Sequence, residues 1–315
     1  MILGITFAVS ACALWGLTYL LPLVLPEVDA LTIALVRAAI MGLVSVFIWI
    51  KIRRAFCVLT GSDWRQATAL SLVGNLIQCW ILLLSVAYAG VAVAGICFGM
   101  VPVLVALIAN WQDKNHGKPF IDLSRLMLPL TGIVLGFIAV NFLELQALVD
   151  SGVEPSRFFF GLLCGIASTL MWTWYPIKNA DWLLTHPAVN PAVWTCAQSI
   201  ILLPIGALLL LVHYALMGTP ENYFGAYPPR FWGILSFVGF ACSWLATTLF
   251  NAGSARLPTS LVGQLLVFET IFAIVYGQIE KAQWPSAALT LGLILLLGSI
   301  IYTLRLYPKD KTPSS

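Results

Sequence analysis

The chain has 315 residues, of which 60% are hydrophobic and only 9% are charged, with a formal net charge of +3. A soluble domain carries roughly 25% charged residues because it needs a hydrated surface, so this composition excludes an ordinary water-soluble globule. The basic residues form no continuous stripe, which excludes a nucleic-acid-binding surface. The seven cysteines include no CxxC pair, so neither a zinc site nor a disulfide framework is expected.

Apolar runs long enough to cross a bilayer follow one another along the chain. A membrane-spanning helix needs about 20 mostly apolar residues, and ten runs meet this requirement. The predicted spans are 2–21, 30–50, 66–88, 91–111, 126–143, 159–180, 191–217, 231–252, 258–277 and 285–304. Breakers separate them, such as Pro22 after the first span and Gly90 after the third. The first run has no basic segment before it and no cleavage pattern after it, so we expect a retained span.

The distribution of basic residues between the two sides tests this number of spans. If the N-terminus is cytoplasmic, the cytoplasmic side holds Lys51, Arg53, Arg54, Arg65, Lys114, Lys118, Arg125, Lys178, Arg256, Arg305, Lys309 and Lys311. The opposite side holds Arg157, Arg230 and Lys281, while Arg37 lies within the second span. Because cytoplasmic loops carry the excess of Lys and Arg, we expect both termini to be cytoplasmic.

The two halves of the chain share a short match. A shift of 157 residues aligns Gly4 and Trp15 of the first span with Gly161 and Trp172 of the sixth. Five spans separate these partners, and an odd number inverts one half relative to the other. We therefore predict an all-α integral membrane fold of ten helices in two inverted five-helix repeats. The predicted parts are a first repeat at 1–143, an extracytoplasmic linker at 144–158, a second repeat at 159–304 and a cytoplasmic tail at 305–315.

Several short motifs carry a resemblance to a known family. They are Ala-Leu-Trp15-Gly16, Leu-Met-Trp172, Arg37-Ala-Ala, Pro102 in the fourth span, and the acidic Asp113 and Glu280 after the fourth and ninth spans. In these features the chain resembles EamA-type members of the drug/metabolite transporter superfamily. The resemblance implies a ten-helix carrier that alternates access around a central cavity. Members of that family move amino acids, nucleotide sugars, drugs and other metabolites, so the substrate stays open. One position departs from the internal symmetry, since Glu269 aligns with Pro102.

Arg37 and Glu269 are the two charged residues predicted to lie inside the hydrocarbon. Each costs on the order of 3 kcal/mol at the centre of a helix, so each needs a partner or water. One hypothesis is that Glu269 lines the cavity and binds a substrate amine or a coupling proton. The alternative is a structural pair with Arg37 or another hydrogen-bonded network. Arg37 itself lies near the outer boundary, where it can also snorkel or pack.

The other candidate residues of a substrate site are polar or aromatic and lie within the spans. They are Trp15, Tyr19, Asn75, Gln78, Trp172, Tyr175, Trp244, Thr247 and Gln264. Polar residues inside a bilayer face other helices or a cavity, and deep aromatic residues can wall a cavity that accepts flat or cationic solutes. Hydrogen bonding between helices and plain packing are the alternatives for each of them.

These observations predict a secondary transporter, and more specifically an exporter of amino acids, related metabolites or drugs, in the cell inner membrane. The alternatives are a lipid or lipid-carrier flippase of the same fold and, much less favoured, an intramembrane enzyme. No HExxH, GxGD or GxSG string is present, and Glu269 is the only acidic residue within a predicted span. We therefore expect no catalytic residues, no metal and no cofactor. The expected partners are a small-molecule substrate and membrane lipids, with the chain a monomer or a homodimer.

Overall fold

The computed structural model describes residues 1–117, 120–143, 146, 154–217, 224–225, 227–280 and 282–306, and the regular elements among them are helical. Within these residues, ten helices are long and apolar enough to cross a membrane, which confirms the predicted number. They are α1 (Ile2–Leu20), α2 (Leu31–Val58), α3 (Gly61–Gly90), α4 (Val93–Asn115), α5 (Leu123–Val140), α6 (Pro155–Thr185), α7 (Pro191–Leu216), α8 (Pro228–Ser254), α9 (Thr259–Glu280) and α10 (Ala287–Leu306). Most of the predicted linker 144–158 and tail 305–315 lies outside the described residues.

Local signals in the sequence set where these helices begin. Asp29 caps α2 by accepting a hydrogen bond from the Thr32 backbone N–H, and Asn190 caps α7 through its side-chain oxygen. Such caps satisfy backbone N–H groups that the first helical turn leaves without partners. At the end of α3, Gly90 has a φ of 85°, a conformation that glycine adopts without steric cost. This confirms the predicted turn at Gly90.

Three helices extend well beyond their predicted spans, and the second, predicted at 30–50, runs to Val58. The sixth, predicted at 159–180, runs over 31 residues from Pro155 to Thr185, and the third, predicted at 66–88, begins at Gly61. Since a helix rises 1.5 Å per residue, α6 is longer than the roughly 30 Å hydrocarbon core requires. The last turns of α6 carry polar residues, and hydropathy alone therefore assigns them to a loop. In the structure they belong to the end of the helix, which can extend into the headgroup region.

The spans pack in a regular set of pairs. Close contacts join α1 to α8, α3 to α6, α2 to α7, α4 to α9 and α5 to α10. In three of these pairs a helix meets the one five spans later. The π-helical segments Leu72–Ile77 in α3 and Val238–Leu245 in α8 lie at corresponding places in the two halves of the chain.

Glycines allow two of these pairs to approach closely. A Cβ atom on Gly42 of α2 would lie 2.5 Å from the backbone N of Leu203 in α7, and one on Gly206 would lie 3.2 Å from the backbone N of Ala39. In α5, a Cβ on Gly136 would lie 2.7 Å from Leu296 of α10. Small residues at such positions let helix backbones pack where lipid offers no hydrophobic driving force.

Candidate substrate site

The fourth span is broken in the middle of the bundle. Its first segment ends at Gly99, Met100 forms a turn, and the second segment begins at Val101 with Pro102 in its first turn. A proline inside a helix lacks the N–H that would bond four residues back, and its ring clashes with the carbonyl there. Pro102 therefore accounts for the break in this span.

The ninth span is broken at the corresponding point. One segment covers Thr259–Leu265, and the next, Val267–Glu280, carries Glu269 in its first turn. No proline causes this break. The N-terminal end of a helical segment carries partial positive charge, which favours a carboxylate there. Broken helices with such ends at mid-membrane depth are a recurrent feature of substrate and ion sites in transporters.

The Glu269 carboxylate faces a small cavity between these broken helices. Its Oε1 accepts a hydrogen bond of 3.2 Å from the hydroxyl of Tyr19, which lies in a 3₁₀ turn at the end of α1. The cavity has a volume of about 20 Å³, and Phe98, Pro102 and Trp172 contribute to its wall. Such a space holds about one water molecule, so in this conformation a larger solute would have to open it.

Aromatic rings form the wall beside this cavity. Trp172 stacks on Tyr175 with 5.0 Å between ring centroids and on Phe98 with 6.1 Å. Trp15 meets Trp172 edge-on at 6.0 Å, so the two tryptophans that match between the halves of the sequence are in contact. An aromatic wall next to a carboxylate can hold a cationic or flat solute through stacking and cation–π contact.

Arg37 is not paired directly with Glu269. Within the described residues the ion pairs are Lys178–Asp181, His186–Asp63 and His213–Asp29. The Arg37 guanidinium instead makes a weak contact of 4.0 Å with the Cys79 sulfur of α3. The alternative of a direct structural ion pair between the two charges in the membrane is therefore not what the structure contains.

Comparisons with known proteins agree with this architecture. The chain is 30% identical over 322 residues to the inner membrane protein YtfF of Escherichia coli (strain K12), and the match covers 100% of this chain and 99% of that protein. A profile of the EamA-like transporter family matches residues 2–135. The chain belongs to this family. A solved crystal structure shares the fold with a TM-score of 0.73 at 15% identity, covering 98% of this chain and 99% of the other.

Membership in the EamA-like family indicates a transporter and not an enzyme. The structure brings Trp15, Tyr19, Trp172 and Glu269 together around the small cavity or its aromatic wall, with Tyr175 behind them. These residues belong to α1, α6 and α9, which are distant in sequence and adjacent in the bundle.

Other candidates from the sequence make contacts between helices. Gln78 of α3 donates a 3.0 Å hydrogen bond to the Ser168 hydroxyl of α6. Gln264 of α9 is fully buried and accepts a hydrogen bond from Thr303 of α10. Both contacts match the alternative reading of these residues as links between helices, which polar groups in a bilayer commonly form.

The last three candidates lie away from the cavity beside Glu269. Trp244 stacks on Phe240 of its own helix at 6.2 Å, and Thr247, one turn later, is 4% exposed. Asn75 is partly buried in the π-helical turn of α3. None of the three contributes to the wall of that cavity.

A buried polar network joins α6, α7 and α8, and sequence reasoning missed most of it. Asn179 donates to Asn251 at 2.8 Å and accepts from Trp194 and Gln198 at 2.9 Å each. Gln198 in turn accepts from the Tyr175 hydroxyl at 2.9 Å. Asn179 lies one residue before the predicted end of the sixth span, where a polar residue is expected to reach the membrane surface, but the helix continues to Thr185 and Asn179 is fully buried.

A buried carboxylate at the start of α3 also corrects the sequence prediction, which left Glu269 as the only acidic residue inside a span. Asp63 is 6% exposed in the first turn of α3. It accepts hydrogen bonds from the Thr60 backbone N–H at 2.8 Å and from the Trp182 indole N–H at 2.7 Å. The Thr60-x-x-Asp63 spacing of a capping box was the available sequence signal.

Proposed function

We propose that this protein is a secondary transporter of small organic solutes, with Glu269 as the charged group that the solute or a coupling proton meets in the centre of the bundle. The observation that carries the proposal is a carboxylate in the first turn of a broken helix, facing a cavity with an aromatic wall. Intramembrane ionisable residues that face a cavity commonly mark transport pathways. The resemblance to the family extends the proposal to export of amino acids, related metabolites or drugs.

Alternating access between two inverted repeats is part of this proposal. Ala39 and Leu203 are 164 residues apart, and so are Gly42 and Gly206. Gly42 contacts Leu203 while Gly206 contacts Ala39, so the contact is reciprocal, as a two-fold axis requires. The breaks in α4 and α9 also fall at corresponding places in the two halves. This pseudo-symmetry supports a mechanism in which the two halves exchange conformations around a central site.

The proposed location is the cell inner membrane, with both termini in the cytoplasm. The name of the E. coli relative, an inner membrane protein, supports the location. The excess of Lys and Arg on one side of the ten spans supports the orientation. Solutes would then be taken up on the side of the loops between α2 and α3 and between α6 and α7.

Transport in proteoliposomes tests the role of Glu269. A panel of amino acids and organic amines is offered with and without a pH gradient to the wild type and to Glu269→Gln. We expect the substitution to lower gradient-driven flux by about tenfold or more, because it removes the charge facing the cavity. Tyr19→Phe, which removes one hydrogen bond to that charge, should lower flux by about threefold.

Glu280→Gln is the matched control, since Glu280 lies exposed at the end of the same helix. The flux through the Glu280→Gln protein should equal that of the wild type. Wild-type flux in a folded Glu269→Gln protein would contradict the role of the carboxylate. Movement of fluorescent lipids without flux of any solute would favour the flippase alternative.

A further inference from the structure

A wide groove opens between the first turns of α3 and the last turns of α6. It has a volume of about 660 Å³, and its walls run from Thr60 to Ala69 on one helix and from Trp174 to His186 on the other. Pockets for small ligands usually measure roughly 300–1,000 Å³. The groove and the cavity beside Glu269 share no residue in their walls, so the groove is a separate space.

The α3 side of the groove is closed to anions. The N-terminal end of a helix attracts anions through its unpaired N–H groups, but here the capping box uses that capacity. The Asp63 N–H donates to the Thr60 hydroxyl at 3.4 Å, and the Asp63 carboxylate accepts from the Thr60 N–H and hydroxyl. An arriving anion would meet a carboxylate at this helix end.

The floor of the groove is a fixed stack of rings. The Trp182 ring lies between Trp194, at 3.4 Å between centroids, and His186, at 4.2 Å. The Trp182 indole N–H donates to Asp63, which ties the end of α6 to the start of α3. The Trp182 ring is stacked on both faces, so it offers no free face to a ligand.

The α6 side supplies contacts for a ligand. Trp174, Lys178 and Asp181 follow one another at helical spacings of four and three residues and therefore lie on one face. Lys178 Nζ and Asp181 Oδ2 are 3.8 Å apart, and both side chains are about half exposed. Such exposed pairs contribute little stability, so Asp181 can exchange its partner. The nearby C-terminal end of α6 adds partial negative charge, which favours a cation.

We propose that this groove binds organic ammonium ions, with the ammonium group paired to Asp181 and the apolar part against Trp174. Seven residues of helix separate these two side chains, or about 10 Å along the axis, which suits an aryl or alkyl amine. The ammonium can belong to a soluble amine or to an ethanolamine headgroup of a lipid. Binding in the groove does not depend on the central site. A role for the groove as the initial binding site of the transported solute rests on the proposed function.

Calorimetry on the full-length protein in phosphatidylcholine nanodiscs tests this proposal. The probes are 2-phenylethylamine, the uncharged 2-phenylethanol and the anionic phenylacetate, and Glu269→Gln protein is used so that the central carboxylate cannot bind the amine. We expect the amine to bind most tightly. Asp181→Asn should weaken its binding by about threefold or more, because the partner charge is lost, and Trp174→Leu by a similar factor.

Two further variants keep the result decisive. Lys178→Gln should strengthen amine binding, since it removes the competing cation, and this holds even if Asp181→Asn fails to fold. Asp122→Asn, which removes an exposed carboxylate outside the groove, should leave binding unchanged. Weaker amine binding in nanodiscs that contain phosphatidylethanolamine would assign the groove to the headgroup, and equal binding would assign it to the soluble amine.

The proposal is overturned if 2-phenylethanol or phenylacetate binds as tightly as the amine, or if neither Asp181→Asn nor Lys178→Gln changes amine binding. If the Glu269→Gln protein loses solute flux but still binds the amine, the central carboxylate is needed for transport and not for binding in the groove. The two proposals are then distinguished from each other. If the wild-type protein binds the amine but transports no solute, the proposal for the groove is supported and the proposed transport function is contradicted.

Discussion

The carboxylates of this protein occupy two kinds of environment. Asp63 accepts hydrogen bonds from Thr60 and Trp182 and closes the start of a helix. Within the described residues, Glu269 accepts one side-chain hydrogen bond, from Tyr19, and borders a cavity. A carboxylate with several donors is stabilised in place, whereas one with a single donor beside open space can take a proton or a cation at modest cost.

Asp29 belongs to the first kind and lies just outside α2. Its carboxylate accepts from the Thr32 backbone N–H and, at 2.9 Å, from Nε2 of His213 near the end of α7. Burial raises the pKa of Asp29, but the hydrogen bonds from Thr32 and His213 outweigh it, so the pKa lies below its ordinary value. A depressed pKa means that the charged form stabilises the fold. This contribution is complete above the ordinary pKa of aspartate and is lost as the pH falls through the folded value.

Asp29→Asn separates the charge from the cap, because asparagine still offers an oxygen to the Thr32 N–H. We expect the variant to melt about 2 °C below the wild type at pH 7. The difference should shrink as the pH falls below about 4, where the wild-type carboxylate takes up a proton. Melting temperatures of the purified protein between pH 7 and pH 3 measure this, and a difference that stays constant over that range would contradict the role of the charge.

At the scale of elements, the broken helices determine where polar chemistry occurs in the membrane. Breaks in α4 at Met100 and in α9 at Leu266 leave backbone groups without their usual helical partners. Such groups are tolerated at membrane depth only where they face protein or a cavity. The seventh span is broken as well, between Ser199 and Leu202, with Pro204 in the first turn of its second segment.

The contact of α2 with α7 yields a prediction about helix packing. Gly42→Ala should destabilise the protein by about 1–3 kcal/mol, because its Cβ would lie 2.5 Å from the backbone N of Leu203. Gly206→Ala should lower the stability less, because its Cβ would lie 3.2 Å from the nearest atom, the backbone N of Ala39. Gly298→Ala is the matched control, since a Cβ there meets nothing within 4 Å and alanine is the better helix former.

Thermal unfolding of the three purified variants in one detergent gives the order of their stabilities. The expected order places Gly298→Ala at or above the wild type, then Gly206→Ala, then Gly42→Ala. Equal stability of Gly42→Ala and Gly298→Ala would mean that α2 and α7 do not depend on this close approach.

At the scale of the whole molecule, orientation in the membrane follows from charge and not from packing. Cys57, in the 3₁₀ segment that ends α2, is the exposed member of the seven cysteines, while the others are buried or partly buried. The proposed orientation puts it in the cytoplasm. A membrane-impermeant maleimide should therefore label inverted membrane vesicles and leave intact spheroplasts unlabelled.

Cys57→Ser should abolish this labelling. In that background, Trp284→Cys reports on the opposite side, since Trp284 is 96% exposed between α9 and α10, and it should react in intact spheroplasts. The reverse pattern for both positions would invert the topology and, with it, the side on which the α3–α6 groove takes up its ligand.

The number of helices and their places in the chain were determined by the sequence alone, because insertion depends on the apolar content of each segment taken by itself. Turn and cap residues such as Gly90 and Asp29 act over a few residues and could also be recognised locally. The bias of Lys and Arg in the loops is a property of the linear order as well, so orientation could be predicted before any contact was known.

Which polar residue faces a cavity and which faces another helix was decided by the tertiary structure. Glu269 and Tyr19 are 250 residues apart, and Gln264, only five residues before Glu269, turns to Thr303 instead. A helix that is apolar nearly all round carries little information about which face turns inward. Rotation and crossing of the helices are set by close contacts such as Gly42 with Leu203, and these depend on partners far away in the sequence.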